Sequence, residues 1–305
     1  MPHARRDHWQ REIARLDPEV DWHRIYTIVF QHEFPWDLEQ SLGLALYRTY
    51  AVPSIGALLD RTGEFDRAVQ KRYDDTGLIL DTVLTHGMTS GDGRAAIRRM
   101  NQMHRSYDIS ADDMRYVLST FVTVPIRWLD DVGWRPFTEA EKVASANYYR
   151  ALGRHMGIPD IPATWQEFGA LLDAYEAEHF GFDPGGRRVS DATLDLMATF
   201  PPNHRLPKRI SRAFALALLD DPLLDAFRYP HPPAWHRRVA KAGLRVRGAF
   251  LRRRPPRLTS RRFVDSPNFR SYPRGWDVTQ VGTFPSGCPV PHEGAVTGSG
   301  TSRSS

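Results

Sequence analysis

Three times in the middle of this chain a hydroxyl residue is followed three positions later by an acid: Ser110 and Asp113, Thr138 and Glu141, Thr164 and Glu167. At that spacing the hydroxyl can cap the first free N–H groups of a helix while the acid reaches back to the cap, so three helix starts are announced. Gly87, Gly133, Gly157 and Gly181 follow periodic stretches, where a left-handed cap favours glycine. No stretch alternates apolar and polar residues as a half-buried strand does. The 3.6-residue period predicts helices over 38–50, 63–86, 94–107, 111–131, 139–156, 165–180, 191–200 and 207–228, with Pro125 expected to kink or split the fourth. The fold class is therefore all-α, a multi-helix single domain.

A helical core over 38–230 is expected to carry an N-terminal helical extension, 1–37, and a basic, irregular C-terminal segment, 231–285, packing on it. Residues 286–305, ending in "GAVTGSGTSRSS", read as a disordered tail. The one cysteine, Cys288, excludes an intrachain disulfide and a cysteine-rich metal site, which fits a reducing, cytoplasmic compartment. The charged N-terminal stretch lacks the apolar region of a signal peptide, and no run of 18 apolar residues follows.

The net charge of +5 is uneven: residues 205–262 carry +13 and the rest of the chain −8. Within "HRRVAKAGLRVRGAFLRRRPPR" the apolar Val239, Leu244, Val246, Phe250 and Leu251 stand among basic residues, as in an interfacial amphipathic segment. Peripheral contact with an anionic membrane through residues 236–262 is one reading and a solvated basic face another; nucleic acid is the least favoured partner.

Several chemistries fail on spacing. "SGDG" at 90–93 follows no strand, so no Rossmann or phosphate-binding turn is present. No nucleophile elbow or catalytic cysteine signature occurs. A di-iron bundle needs two Glu-x-x-His motifs, and only Glu176 to His179 supplies one. Aspartate pairs at 74–75, 112–113, 130–131 and 220–221 lack the Asp-Asp-x-x-Asp spacing of magnesium-dependent isoprenoid enzymes, and suit caps and solvated faces.

What remains is a lone histidine. In "RAAIRRMNQMHRSYDIS", 94–110, Ile97, Met100, His104 and Tyr107 share one stripe. On the preceding helix Arg72, Thr76, Leu80 and Val83 form another, placing a guanidinium and a hydroxyl on an apolar face. A neutral imidazole there suits a haem iron, which needs one protein ligand because the macrocycle supplies four. Arg72 and Thr76 could then donate to a propionate or to bound oxygen. The bland alternatives are a core histidine bonded to a carbonyl, a buried ion pair at Arg72 and a back-bonded Thr76.

At these residues the chain resembles a known family. "RYDDT" at 72–76, "HG" at 86–87, "RMNQMHRSYDIS" at 99–110 and "DDMRYVLSTFVTVPIRWLDDVGWRPFTEAEK" after it are similar to the MpaB-type oxygenases, which share a catalytic domain with the bacterial rubber oxygenase, the latex-clearing protein. The likeness continues through "YYRALGRHMGIPDIP" and, more loosely, "YPRGWDVTQVGTFP" at 272–285. It implies a globin-like core holding haem b, with dioxygen as cosubstrate and attack on a carbon-carbon double bond of a hydrophobic, prenyl-like substrate. His104 matches the axial ligand of the rubber oxygenase and Arg72 and Thr76 its Arg-x-x-x-Thr pair. Asp75 stands where that enzyme has a distal lysine, and no counterpart of its active-site glutamate is found. A hydrogen bond to the second ring nitrogen of His104 is expected to fix its tautomer. "MRYVLSTFVTVPIRWL" suits a hydrophobic substrate channel or an ordinary core. Oxidation of a natural-product scaffold without cleavage, an isoprenoid transferase, or a non-catalytic basic membrane-binding module stay open as alternatives.

Overall fold

A computed structural model describes residues 5–283. The expected tail, 286–305, and Cys288 lie outside the described residues. Among these, fourteen α-helices and no strand occur: α1 (His8–Ile13), α2 (Trp22–Ile28), α3 (Pro35–Thr49), α4 (Pro53–Thr62), α5 (Glu64–Arg67), α6 (Val69–His86) and α7 (Gly91–His104). Then come α8 (Ala111–Val132), α9 (Glu139–His155), α10 (Trp165–His179), α11 (Pro184–Met197), α12 (Lys208–Leu218), α13 (Asp221–Phe227) and α14 (Ala234–Arg252). A π-helical turn, Val29–Glu33, links α2 to α3.

All three hydroxyl caps form. Ser110 accepts from Asp113 N at 2.9 Å, and Thr164 from Glu167 N at 3.2 Å. Only Thr138 and Glu141 make the reciprocal box, Glu141 returning to Thr138 N at 2.7 Å. The other two acids work elsewhere: Glu167 binds Ala163 N, and Asp113 accepts from Ser54 and Tyr175 of neighbouring helices. Gly87 and Gly157 take positive φ, while Gly133 is extended.

Four expectations are corrected. The helix drawn over 63–86 is two pieces: α5 follows α4 across Gly63 at φ 70, and Ala68 at φ −151 breaks α5 from α6. The one over 207–228 divides where Asp220 caps α13, accepting from Leu223 N at 3.2 Å with Pro222 in the first turn. Within the segment expected to be irregular, 231–285, residues 234–252 form the regular helix α14. Helix α8 runs unbroken across Pro125, whose neighbours Val124 and Ile126 are buried; packing against α3, α9 and α10 holds what a proline alone would loosen.

Most apolar side chains join one core. Ile25, Val29, Phe34, Leu38, Leu78, Val83, Val122, Leu129, Leu152 and Phe168 are all 4% exposed or less, so residues 8–34 build the centre of the domain alongside α3, α6, α8, α9 and α10. "MRYVLSTFVTVPIRWL" is core: Tyr116, Leu118, Val122, Ile126 and Leu129 are buried in it. A second cluster, with Tyr47, Phe65, Leu223, Leu224 and Phe227, fills the space between α3, α11, α12 and α13.

Helices α4 and α11 cross where Gly56 meets Gly186. A Cβ on Gly56 would lie 2.4 Å from the Tyr50 carbonyl oxygen and 2.7 Å from the Gly186 Cα, both backbone atoms. Gly56→Ala is therefore expected to destabilise the domain by about 1–3 kcal/mol through overpacking, in spite of alanine's better helix propensity. Urea denaturation would show it as a lower midpoint; an unchanged midpoint would mean that the crossing yields freely.

Beyond α14 the chain returns across α6 and α7 as a strap, residues 261–283. Three carboxylates of α6 hold it. Asp81 takes Arg262 at 2.6 Å and Phe263 N at 2.9 Å, Asp74 takes Ser271 N at 2.8 Å, and Asp75 takes the Tyr272 hydroxyl. On α7, Arg99 donates to the carbonyls of Val281 and Thr283, each at 2.7 Å. Gly77 leaves room for the Phe263 ring, which would stand 2.2 Å from a Cβ there. The pair Asp74 and Asp75, expected as caps or a solvated face, is thus buried and structural.

Candidate functional site

Helices α6 and α7 pack side by side and bring the two sequence stripes together. On α7, Ile97 and Met100 are buried, and His104, the last helical residue, remains partly exposed at the edge of a cleft. Tyr107 lies beyond the helix end, yet lines the same cleft. On α6, Arg72, Thr76 and Leu80 are half-buried, and the stripe closes only at Val83.

Nδ1 of His104 is buried and has no hydrogen-bond partner among the described residues. The expected hydrogen bond fixing the tautomer is not formed among the described residues, and the neighbouring charge is the Arg72 guanidinium. Burial, and then that positive charge, push the imidazole pKa down to about 4. A neutral ring at ordinary pH has a free lone pair, the form in which histidine ligates a metal.

Arg72 donates to Thr76 Oγ1, and Thr76 in turn donates to the Arg72 carbonyl oxygen at 3.0 Å. The threonine is back-bonded, as its bland reading supposed, and it also steers the guanidinium. No buried ion pair forms: among the described residues Thr76 is the one hydrogen-bond acceptor of the Arg72 side chain, and no carboxylate lies within salt-bridge range. The charge also acts on the buried Tyr50 phenol. A half-buried cation without an anion is costly unless an anionic or strongly polar group completes its surroundings.

Asp75 is turned away from this work. Its oxygens are taken by Lys71 Nζ at 2.7 Å and by the Tyr272 hydroxyl, so the structure places it with the strap. Lys71 also reaches the Gly282 carbonyl at 3.4 Å and lies over the Tyr272 ring. Tyr272→Phe is expected to cost about 1–3 kcal/mol, because it leaves a buried carboxylate one donor short; limited proteolysis within 261–283 would be the sensitive readout, and wild-type resistance would count against this tie.

The cleft beside His104 has a volume of about 560 Å³ and opens to solvent. Tyr107, Ile109, Met114 and Met156 give it apolar walls, and Arg105 and Arg154 give it two cations. Asn101 ties its two sides together by donating to the His155 carbonyl oxygen at 2.9 Å. Sequence periodicity along α7 sends Arg105 away from the stripe. It carries no signal at all for Arg154 or Met156, which arrive from the end of α9.

The Glu-x-x-His motif resolves as structure. Glu176 is buried against Arg48 and accepts from the Tyr116 hydroxyl at 3.0 Å, while His179 packs its ring at a tilt against Tyr175. Among the described residues no three or more His, Cys, Asp or Glu side chains are grouped to hold a metal ion. A macrocyclic iron needs one protein ligand, so that absence does not bear on it.

The described residues thus form an all-helical domain in which His104, with no hydrogen-bond partner at Nδ1 among them, lies near the Arg72 guanidinium. Comparison supplies the family. Residues 40–253 match "ER-bound oxygenase mpaB/B'/Rubber oxygenase, catalytic domain", and the chain belongs to that family. It is 29% identical over 225 residues to the ER-bound oxygenase mpaB' of Penicillium brevicompactum, covering 67% of this chain and 52% of that protein. It is 29% identical over 185 residues to mpaB of the same fungus, covering 55% and 47%, and 27% identical over 239 residues to mpaB of Penicillium roqueforti (strain FM164), covering 72% and 79%. The chain thus spans about half the length of the two Penicillium brevicompactum relatives. Those relatives are described as ER-bound. Among the described residues here no single helix is long and apolar enough to cross a membrane; α3 and α4 pass that test only as a pair bent by 99°.

Proposed function

We propose that this oxygenase-family chain binds haem b through His104 in a globin-like helical core, and uses dioxygen to oxidise or cleave a carbon-carbon double bond in a hydrophobic, prenyl-like substrate. The observation that carries the reading is the juxtaposition of the orphaned, neutral His104 ring with the unpaired Arg72 cation. Among the described residues His104 Nδ1 has no hydrogen-bond partner, and Arg72 has Thr76 but no anion. Both would be satisfied by a planar iron macrocycle with carboxylate side arms, so the residues fit the group.

His104 would provide the single protein ligand. Arg105 and Arg154, at the cleft, are the cations suited to hold carboxylates, and Arg72 to orient an oxygen atom or a third anionic group. Thr76 keeps Arg72 extended along α6, since its own proton is committed to the Arg72 carbonyl. Bound haem supplies dioxygen activation; the protein supplies ligation, orientation and exclusion of water. The apolar walls formed by Ile109, Met114 and Met156 favour a greasy substrate over a charged one. Asp75 acts through the strap, which it fastens across α6. A reducing, cytoplasmic setting accords with the cysteine-poor composition.

The test is the visible spectrum of the purified protein after haem supplementation, followed by oxygen uptake with prenylated alkenes. A Soret band at near-stoichiometric haem, with substrate-dependent oxygen uptake, is the expected result. A folded protein that stays colourless after reconstitution would overturn the assignment.

A further inference from the structure

We propose that α14 is a membrane-docking helix that lays an outward apolar stripe on an anionic phospholipid surface. A helix packed on a domain ordinarily carries one apolar stripe, turned to the core. Helix α14 carries two, on opposite sides. Ala240, Leu244 and Gly248 are buried against the domain. Trp235, Val239, Val246 and Phe250 are 59%, 62%, 70% and 53% exposed. At 3.6 residues per turn these four fall within about 60° of one another, centred away from the buried three. Exposed large apolar side chains scattered singly mean little, whereas four aligned on one helix face form a patch that water solvates poorly.

The charges around the stripe select the partner. Helix α14 contains no acidic residue. Its inward cations are paired: Arg237 with Asp221, Lys241 and Arg245 with Asp131, Arg247 with Asp37. Arg238 and Arg253, bordering the outward stripe, meet no acid among the described residues. Packed beside α14, α12 adds Ile210 and Phe214, 48% and 38% exposed. Between the end of α12 and the start of α14 lies a second cleft of about 440 Å³, lined by Arg237, Arg238, Lys241 and Arg245 with Asp220 as its one acid. Arg238, the one of these four cations with no acidic partner among the described residues, is placed to meet a phosphate headgroup beside side chains that would sit among acyl chains. Aliphatic Val239 and Val246 at the centre of the face suit a lipid interior; they neither stack on bases nor bind phosphates, which disfavours a nucleic-acid partner.

The test uses the 305-residue chain with vesicles of phosphatidylcholine alone, or of phosphatidylcholine and phosphatidylglycerol in equal parts, read by co-flotation and by quenching of tryptophan with brominated acyl chains. Binding to the anionic vesicles alone, weakened by salt, is expected. Val246→Glu with Phe250→Glu should lower partitioning about tenfold or more, and Arg238→Gln with Arg253→Gln roughly 25-fold, at about fivefold per cation. All four side chains are exposed, so unchanged circular dichroism separates loss of docking from loss of fold. No binding to anionic vesicles, wild-type binding by the Val246/Phe250 variant, or binding to duplex DNA in place of vesicles would each overturn the proposal.

Discussion

His104→Ala, produced beside the parent in the same haem-supplemented host, is expected to lose the Soret band. Removing partners that merely support a metal ligand costs about 10- to 100-fold in affinity, so removing the ligand itself should exceed that and leave little bound haem. The fold should survive. His104 closes α7, alanine is a good helix former, and the ring contributes an unpaired buried nitrogen that folding is better without. Far-UV circular dichroism would therefore match the parent while the chromophore is gone. His104→Gly with added imidazole should recover part of the band, because the small ring can occupy the vacated space. A variant that keeps the parent's spectrum would assign the iron ligand elsewhere.

The second large effect is structural. Arg48 on α3 grips both oxygens of Glu176 on α10 and binds Asp220 at the cap of α13, and Tyr116 on α8 donates to the same glutamate. Four helical elements meet at one guanidinium, on the seam between the two hydrophobic clusters. Arg48→Met removes the cation that Glu176 and Asp220 share and strands a buried carboxylate. Breaking a buried pair from one side costs about 3–5 kcal/mol, whereas replacing both partners by apolar groups is often close to neutral. Arg48→Met should thus lower unfolding stability by about that amount in urea, and Arg48→Met with Glu176→Leu should recover part of the loss. A single variant within about 1 kcal/mol of the parent would show the pair to be screened or dispensable.

These two residues were differently legible. His104 stands out in sequence because an imidazole interrupts an apolar stripe, and the resemblance to the rubber oxygenase falls on that position. Glu176 also stands out, through a metal-like Glu-x-x-His spacing, and the structure shows that its partner is Arg48, 128 residues away. Spacing along one helix cannot tell a ligand from an ion pair, because the deciding group comes from another element. The same holds for Asp74 and Asp75. Their adjacency reads as a solvated face until the strap, nearly 200 residues later, closes over them.

Helix identity was written locally. Capping hydroxyls, glycine stops and a 3.6-residue period act over a few residues, and they correctly announced an all-α chain and the starts of α8, α9 and α10. Breaks were harder to see. Gly63 at φ 70 and Ala68 at φ −151 interrupt a continuous apolar period; the glycine is a local stop of the usual kind, whereas nothing in the residue type at Ala68 announces a break. The sequence alone determined the fold class, the family and the two stripes, one bearing Arg72 and Thr76 and the other His104. Only the tertiary structure decided that, among the described residues, Arg72 lacks an anion and His104 Nδ1 lacks a partner, that Arg154 shares the cleft, and that α14 shows a second apolar face. Each of those is a statement about which groups remain unsatisfied after packing, and satisfaction is a property of the assembled neighbourhood.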